Sequence, residues 1–271
     1  MSNPNVDSTL AAAQLDAPKS SAPGIFELPC GYLAADGVLH TDVSVREISG
    51  HEEDLLASKQ IPESKKLGEL VGRCITRIGS LTDPEQLRQA SKELLIGDRV
   101  FLLFAVRRVT LGDDYPFRSK CPECGKEGLY HVNLAELDIK KMPQPTKRAG
   151  YDFTLPSGKK IRIKTLNGEE EEAYGRKKIA DSDIASSALM PRVEQLDGKP
   201  PTLGDIKALG MRDRNFIRQD IVEQIDGGVD TTVDVTCASC EVEYKKDLEV
   251  GQSGFFFPSQ TLKNWKLKSS T

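Results

Sequence analysis

The chain has 271 residues, a formal net charge of −4 and an apolar fraction of 38%. This length can bury a substantial core, and the acidic balance provides no general positive field that would attract nucleic acid. No stretch approaches the roughly 20 consecutive apolar residues of a membrane span. We therefore expect a globular protein without membrane contact, folding in a reducing cytoplasm.

The N-terminal residues 1–24 are rich in Ala, Ser, Pro and Asn and lack the apolar run of a signal peptide, so we predict a disordered arm. The next segment predicts a β-hairpin, because Asp36-Gly37 is a typical tight turn. Its second strand has alternating residues on one face, namely Leu39, Thr41, Val43 and Val45.

Helices are predicted after this hairpin. The segment "HEEDLLASK" follows Ser49-Gly50 with acidic residues in its first turn, and "LGELVGRCITRIG" continues with helical spacing that buries Cys74. Asp83-Pro84 predicts an N-cap followed by proline at the first helical position. After Gly97-Asp98-Arg99, the apolar "VFLLFAVRRV" predicts a central core helix that ends at Gly112.

Two Cys-x-x-Cys motifs are each predicted at the tip of a β-hairpin. Alternating strands, "YPFRSKC" and "GLYHVNL", flank Cys121 and Cys124. The strand that contains Val233 and Val235 leads similarly to Cys237 and Cys240. A gap of 112 residues separates the two motifs, far more than an ordinary zinc ribbon has.

Residues from 151 onward repeat the order of features in the first half. Gly168 follows Gly50 by 118 residues, Asp213 follows Asp98 by 115, and Cys237 follows Cys121 by 116. This spacing predicts two pseudo-repeated units of β-hairpin, helices and cysteine hairpin. The two hairpins would then meet across a pseudo-twofold axis at one Cys₄ site. The alternative is two unrelated hairpins with chance similarities.

The four thiols of Cys121, Cys124, Cys237 and Cys240 are the ligands expected of a structural zinc site. A redox dithiol is the alternative, although neither pair opens a helix in a βαβ context. A Cys₄ shell leaves no position for a catalytic water. No two of the three histidines, His40, His51 and His131, share a helical face at the spacing of metal ligands. No phosphate-binding or nucleophile motif is present either, so we predict that the protein is not an enzyme.

Two C-terminal stretches could contact partners. Phe255 to Phe257 are predicted mainly as core residues, with an exposed docking patch as the alternative. Residues 259–271 form a basic tail in which lysines surround Trp265, a composition that could bind nucleic acid or an acidic protein surface. A solvated tail is the simpler interpretation and the one we favour.

The segments "FELPCGYL", "DGVLHTDVSVREISGHEEDLL", "LLIGDRVFLLFAVRRVTLGDDYPFRSKCPECG" and "MRDRNFIRQDI", with the closing cysteine pair and "FFFP", together resemble the T-even-type phage baseplate hub assembly family. The resemblance spans roughly residues 25–258. It implies a non-enzymatic hub assembly chaperone, or a component of the tail baseplate. It also implies that the two cysteine pairs form the family's zinc-ribbon-like element.

We therefore predict an α+β protein divided into an arm (1–24), a first unit (25–150), a second unit (151–258) and a tail (259–271). Expected partners are baseplate hub or other tail proteins, with no small-molecule substrate. The expected location is the host cytoplasm during assembly, or the baseplate of the virion. The alternative is a zinc-ribbon protein that binds nucleic acid or acts in transcription, through a basic cluster of Arg107, Arg108, Arg118, Lys120 and Lys126.

Overall fold

This computed structural model contains two three-stranded antiparallel sheets, one from each half of the chain. Helices pack with these sheets, and the two cysteine hairpins form separate two-stranded sheets. The structure describes residues 24–175, 183–250 and 255–256. Helices and antiparallel sheets are both present, so the α+β class predicted from the sequence is confirmed. The arm before residue 24, Phe257 and the tail with Trp265 lie outside the described residues.

The first half is built around a sheet of order β1-β2-β3 and one long helix, α4. Its elements in chain order are β1 (Gly24–Leu33), β2 (Leu39–Val45), α1 (Gly50–Ala57), α2 (Glu63–Cys74), β3 (Ile75–Ile78), α3 (Pro84–Glu93), α4 (Ile96–Leu111), β4 (Asp114–Lys120), β5 (Glu127–Asn133), a 3₁₀ helix (Leu134–Glu136) and β6 (Ile139–Lys140).

The second half contains a sheet of order β7-β8-β9 and shorter helices. Its elements are β7 (Tyr151–Thr154), β8 (Lys160–Ile163), α5 (Gly168–Gly175), α6 (Ile184–Ser187), a 3₁₀ helix (Met190–Arg192), β9 (Val193–Leu196), α7 (Leu203–Lys207), α8 (Met211–Phe216), a π-helical turn (Ile217–Ile221), α9 (Val222–Ile225), β10 (Gly228–Val229), β11 (Thr232–Thr236) and β12 (Glu243–Asp247). Strand β10 pairs with β6 of the first half.

Local signals set most helix ends where the sequence predicts them. The Asp83 carboxylate accepts hydrogen bonds from the backbone N–H groups of Glu85 and Gln86, which caps α3. Ser49 and Glu52 form a capping box at the start of α1. Gly112 ends α4 with a φ of 87°, a left-handed value that glycine adopts without strain.

Two boundaries differ from the sequence predictions. The helix predicted over "LGELVGRCITRIG" ends at Cys74, and Ile75–Ile78 form strand β3. This strand pairs with β2 and buries Ile75 and Ile78, so sheet pairing satisfies backbone groups that a longer helix would have used internally. Helix α4 begins at Ile96, so Gly97-Asp98-Arg99 form its first turn and do not precede it. Cys74 is fully buried, as predicted.

The pairing of β2 with β3 and that of β8 with β9 share one register at a constant offset of 118 residues. Both have a bulge at the same place, between Ser44 and Val45 in β2 and between Arg162 and Ile163 in β8. The equivalent pairs are Val43↔Ile78 with Ile161↔Leu196, Val45↔Ile75 with Ile163↔Val193, and the isolated bridges Ile78↔Leu81 with Leu196↔Lys199.

A buried aspartate in the first turn of a helix repeats in the same way. The Asp98 carboxylate accepts a hydrogen bond of 2.8 Å from the Cys30 N–H, and Asp213 accepts one of 3.0 Å from the Ser157 N–H. Cys30 and Ser157 each follow a Leu-Pro pair, within β1 in the first half and just after β7 in the second. Each helix is therefore anchored to its own sheet by the same contact.

The core consists of two hydrophobic clusters. Helix α4 runs through the first and is buried on all sides over Phe101–Arg107. Phe255 and Phe256 are 1% and 2% exposed and pack in this cluster, which agrees with the core interpretation of these two phenylalanines. The second cluster includes Cys30 and Leu95 of the first half beside the isoleucines of the second, so the halves share a core.

An arginine is held between the halves by two glycines. The Arg99 Nη2 atom donates to Glu172 Oε1 on α5 at 3.2 Å. A Cβ atom added at Gly68 of α2 would lie 2.1 Å from Nη2, and one added at Gly168 of α5 would lie 1.3 Å from Nη1. The guanidinium group therefore occupies space that only glycine at these two positions leaves open.

We predict that Gly168→Ala destabilises the protein, because the added methyl group displaces Arg99. Overpacking of this kind costs about 1–3 kcal/mol. Gly50→Ala is the matched control, since Gly50 also begins a helix and a Cβ there meets no atom within 4 Å. Urea unfolding of both variants measures the difference. Equal free energies of unfolding for the two variants would contradict the packing described here.

We also predict a pH dependence that originates at Asp98. Burial raises the pKa of Asp98 from 3.8 to about 6. Between these values the folded protein binds more protons than the unfolded chain, so the stabilisation of the protonated form is lost as pH rises towards 6. The loss amounts to about 3 kcal/mol at most. Relative to Asp98→Asn, the wild type should lose unfolding free energy from pH 4 to pH 7, whereas parallel curves would show that Asp98 is not the source.

Candidate metal centre

The two cysteine hairpins have the same turn. In the first, Gly125 N–H donates to the Cys121 carbonyl at 3.0 Å, and Cys121 N–H donates to the Lys126 carbonyl at 2.9 Å. In the second, the corresponding bonds join Glu241 to Cys237 and Cys237 to Val242, both at 2.9 Å. Gly125 and its counterpart Glu241 both have a left-handed φ, of 71° and 58°. Each turn directs two thiols to one side of its hairpin tip.

The four thiols come together as predicted from the sequence. The sulfur atoms of Cys121, Cys124, Cys237 and Cys240 all lie within 4.8 Å of one another. The distances across the hairpins are 3.6 Å from Cys121 to Cys240 and 3.7 Å from Cys124 to Cys237. Tetrahedral coordination with Zn–S bonds of about 2.3 Å separates sulfurs by about 3.8 Å. The cluster therefore has the size of a tetrahedral metal site.

Backbone N–H groups favour the thiolate form of Cys237, the form that binds metal, whereas burial and hydrogen bonds with the other three thiols raise the pKa of Cys240 to about 12. Hydrogen bonds from the backbone N–H groups of Ser239 and Cys240 lower the pKa of Cys237 to about 6. The distance from Ser239 N to the Cys237 sulfur is 3.4 Å. Cys121 and Cys237 are buried, whereas Cys124 is exposed, so the site lies at the surface with one side shielded.

The chemistry of the four donors is that of a structural metal. Four soft sulfur ligands in a tetrahedron suit zinc, and iron can also be held by such a set. Because the four thiolates complete the coordination shell, no position remains for water or a substrate. Cys30 and Cys74 do not join the cluster, and burial raises the pKa of both thiols to about 12.

Part of the basic cluster considered for nucleic-acid binding is buried or paired, whereas Lys120 and Lys126 are exposed. Arg107 is 2% exposed and lies 4.8 Å above the centre of the Tyr115 ring. Arg108 forms an ion pair with Asp113 at 2.6 Å. Arg118 lies 3.9 Å from Glu127 across the hairpin. One charge of the proposed patch is therefore buried, and two others face carboxylates.

The remaining positions considered from the sequence lie apart from the cysteines. His131 forms an exposed pair with Asp114 at 2.9 Å. The sequence interpretation did not identify Ser239 as a donor to Cys237, although its place between the two cysteines of a Cys-x-x-Cys turn is a signal for such an N–H···S bond. Nor did it identify Arg99, whose two glycine neighbours are 31 and 69 residues away in sequence.

Comparison with known proteins gives one match. Residues 37–189 match the sequence model of a family described as T4 bacteriophage base plate protein, and this region is more than half of the chain. It contains the first cysteine pair and ends before the second. No curated protein and no solved structure matches the chain. None of the helices in the described part of the chain is long and apolar enough to cross a membrane.

We predict that the purified protein holds one metal ion per chain and that Cys121→Ser loses most of it. Adding Cys237→Ser should cost little more metal or stability, because ligands of one ion are not additive. Structural zinc contributes about 10 kcal/mol or more to folding of small peptides, so the melting temperature should fall clearly. Cys30→Ser and Cys74→Ser, outside the cluster, should retain the metal.

Elemental analysis and thermal unfolding of these variants provide the measurement. Two ions per chain, or fully additive losses in the double variant, would mean that the hairpins do not share a metal.

Proposed function

Because the chain belongs to the family of T4 bacteriophage base plate proteins, we propose that it helps to assemble the hub of a phage tail baseplate, or remains there as a structural component. The match over residues 37–189 is the observation that carries this proposal. The protein would act through contacts with hub or other tail proteins, in the host cytoplasm during assembly or within the virion tail. In this role it would need no catalytic site and no small-molecule substrate.

The proposed cofactor is one structural zinc ion bound by Cys121, Cys124, Cys237 and Cys240. The size of the sulfur cluster and the lowered pKa of Cys237 support this assignment. Since two ligands come from each half, the ion would join hairpins that lie more than 100 residues apart in sequence. Zinc would thus stabilise the arrangement of the two halves and take no part in a reaction.

An internal duplication is the proposed origin of this arrangement. The common sheet register, the two buried aspartates and the two identical cysteine turns support it. We place the units at residues 25–150 and 151–258, with the arm and the tail outside them. Strand β6 of the first unit pairs with β10 of the second, so the two units are also joined by a short strand pairing.

Two features favour a protein partner over nucleic acid. Leu129 on β5 and Val242 after the second cysteine pair are 46% and 36% exposed, so each cysteine hairpin presents an apolar side chain to solvent. Of the basic residues near these hairpins, Arg107 is buried and Arg108 and Arg118 face carboxylates, which leaves Lys120 and Lys126 as the exposed charges. The zinc-ribbon alternative would require an accessible positive surface, and Arg107 does not contribute to one.

We predict that the tagged protein co-purifies with a hub or tail protein of the same phage, and that Leu129→Ser combined with Val242→Ser weakens this binding about tenfold or more. The control is Ile184→Ser, which removes an exposed side chain on α6, outside the hairpins. All variants should keep their metal. Mass spectrometry of purified particles then distinguishes a resident component from an assembly factor that leaves.

Tight binding of duplex DNA or RNA at physiological salt, without a tail partner, would favour the zinc-ribbon alternative. Binding through Lys and Arg alone should fall steeply as salt rises, because phosphate contacts release counterions.

A further inference from the structure

The first unit has a short backbone edge just before α4, and the second unit covers it. The Ile96 N–H donates to the Leu166 carbonyl at 3.0 Å, and the Gly168 N–H donates to the Leu94 carbonyl at 3.1 Å. Leu95 and Asn167 form the bridge between these two bonds. The partner of this edge is therefore the segment Leu166–Gly168, which leads directly into α5.

The second unit has an equivalent edge, Leu209–Met211, before α8. It occupies the same place relative to the buried aspartate, since Asp213 follows Leu209 by four residues as Asp98 follows Leu94. In the described part of the chain, neither the Met211 N–H nor the Leu209 carbonyl has a hydrogen-bond partner. Met211 is 64% exposed, whereas its counterpart Ile96 is half-buried. This edge is open.

The first unit also contains the counterpart of the covering segment. Ile48–Gly50 lies 118 residues before Leu166–Gly168 and leads directly into α1, as Leu166–Gly168 leads into α5. Among the described residues, the Ile48 carbonyl and the Gly50 N–H have no hydrogen-bond partner, and Ser49 and Gly50 are exposed. Within the described ranges this contact is made once, and the two segments equivalent to its halves have no such partner.

We propose that a second copy of this chain makes the missing contact by placing its Ile48–Gly50 segment against Leu209–Met211. The Met211 N–H would donate to the Ile48 carbonyl of the neighbour, whose Gly50 N–H would donate to the Leu209 carbonyl. The proposal rests on the equivalence of the two units and is independent of the baseplate role.

The charges beside the two surfaces are complementary. In the contact within the chain, Arg99 on the α4 side faces Glu172 on the incoming α5, and Gln89 on α3 donates to Glu169. In the proposed contact, the incoming α1 carries exposed Glu53 and Asp54, and α8 carries exposed Arg212. Acidic side chains of the incoming helix would therefore face an arginine in both cases, and the contact should weaken as salt rises.

The contact joins two different surfaces, so it is heterologous. After one contact forms, one copy still presents a free covering segment and the other a free edge, so assembly continues until a ring closes or a chain forms.

Proline substitutions test the two hydrogen bonds without breaking the helices. Gly50 and Met211 are the first residues of α1 and α8, where proline is well tolerated, and Ser49 and Gly210 have the extended backbone that a following proline requires, with ψ of 179° and 155°. Gly50→Pro and Met211→Pro each remove one donor. Gly50→Ala and Met211→Leu keep the N–H at the same positions and serve as matched controls.

Light scattering and analytical ultracentrifugation of the full chain, at concentrations up to about 0.1 mM where a weak specific contact is populated, measure the assembly state. We expect concentration-dependent oligomers for the wild type and both controls, and monomers for each proline variant with unchanged circular dichroism. A mixture of the two proline variants should form heterodimers that grow no further, because each variant retains the surface that the other lacks. A monomeric wild type, oligomers that survive in both proline variants, or a mixture that stays monomeric would each overturn the proposal.

Discussion

The hydrogen bond from a hairpin N–H to a buried aspartate is the interaction on which the rest of the structure depends. Asp98 and Asp213 each anchor the first turn of a helix to the first hairpin of their own half, at the residue that follows a Leu-Pro pair. Burial of a carboxylate is costly, and the second oxygen of Asp98 has no hydrogen-bond partner in the described part of the chain. The hydrogen bond fixes the orientation of α4, which leads directly into the first cysteine hairpin.

The same anchor in both halves explains how two distant cysteine pairs can meet. Each helix starts from an equivalent point on an equivalent sheet, and each leads to the same Cys-x-x-Cys turn. The result is a cluster of four sulfurs within 4.8 Å. A metal in this cluster would join the two halves at their cysteine hairpins. The pairing of β6 with β10 and the packing of Arg99 between Gly68 and Gly168 join them elsewhere.

The contacts between the halves do not follow the symmetry of the anchors. Leu94–Ile96 receives a segment from the second half, whereas the equivalent Leu209–Met211 receives none from the described part of the first half. Arg99 pairs with Glu172 across the junction, but its counterpart Arg214 bonds within its own half, to Ser186 and to the Ile206 carbonyl.

The sequence by itself determined the local structure: the hairpin turns, the Asp83 cap, the end of α4 at Gly112 and the two cysteine turns. These features depend on residues only a few positions apart, so the sequence alone is enough to predict them. The regular spacing of landmarks also placed Cys121, Cys124, Cys237 and Cys240 in one cluster.

Only the tertiary structure decided what covers each face. Ile75–Ile78 became a strand because the edge of β2 was available, and Arg107 was buried because Tyr115 and Phe255 converge on it from different segments. Sequence periodicity shows that a residue has a buried side but not which distant residue lies against it. The exposure of Met211 and the enclosure of Arg99 depend on such distant neighbours, so only the folded chain could show them.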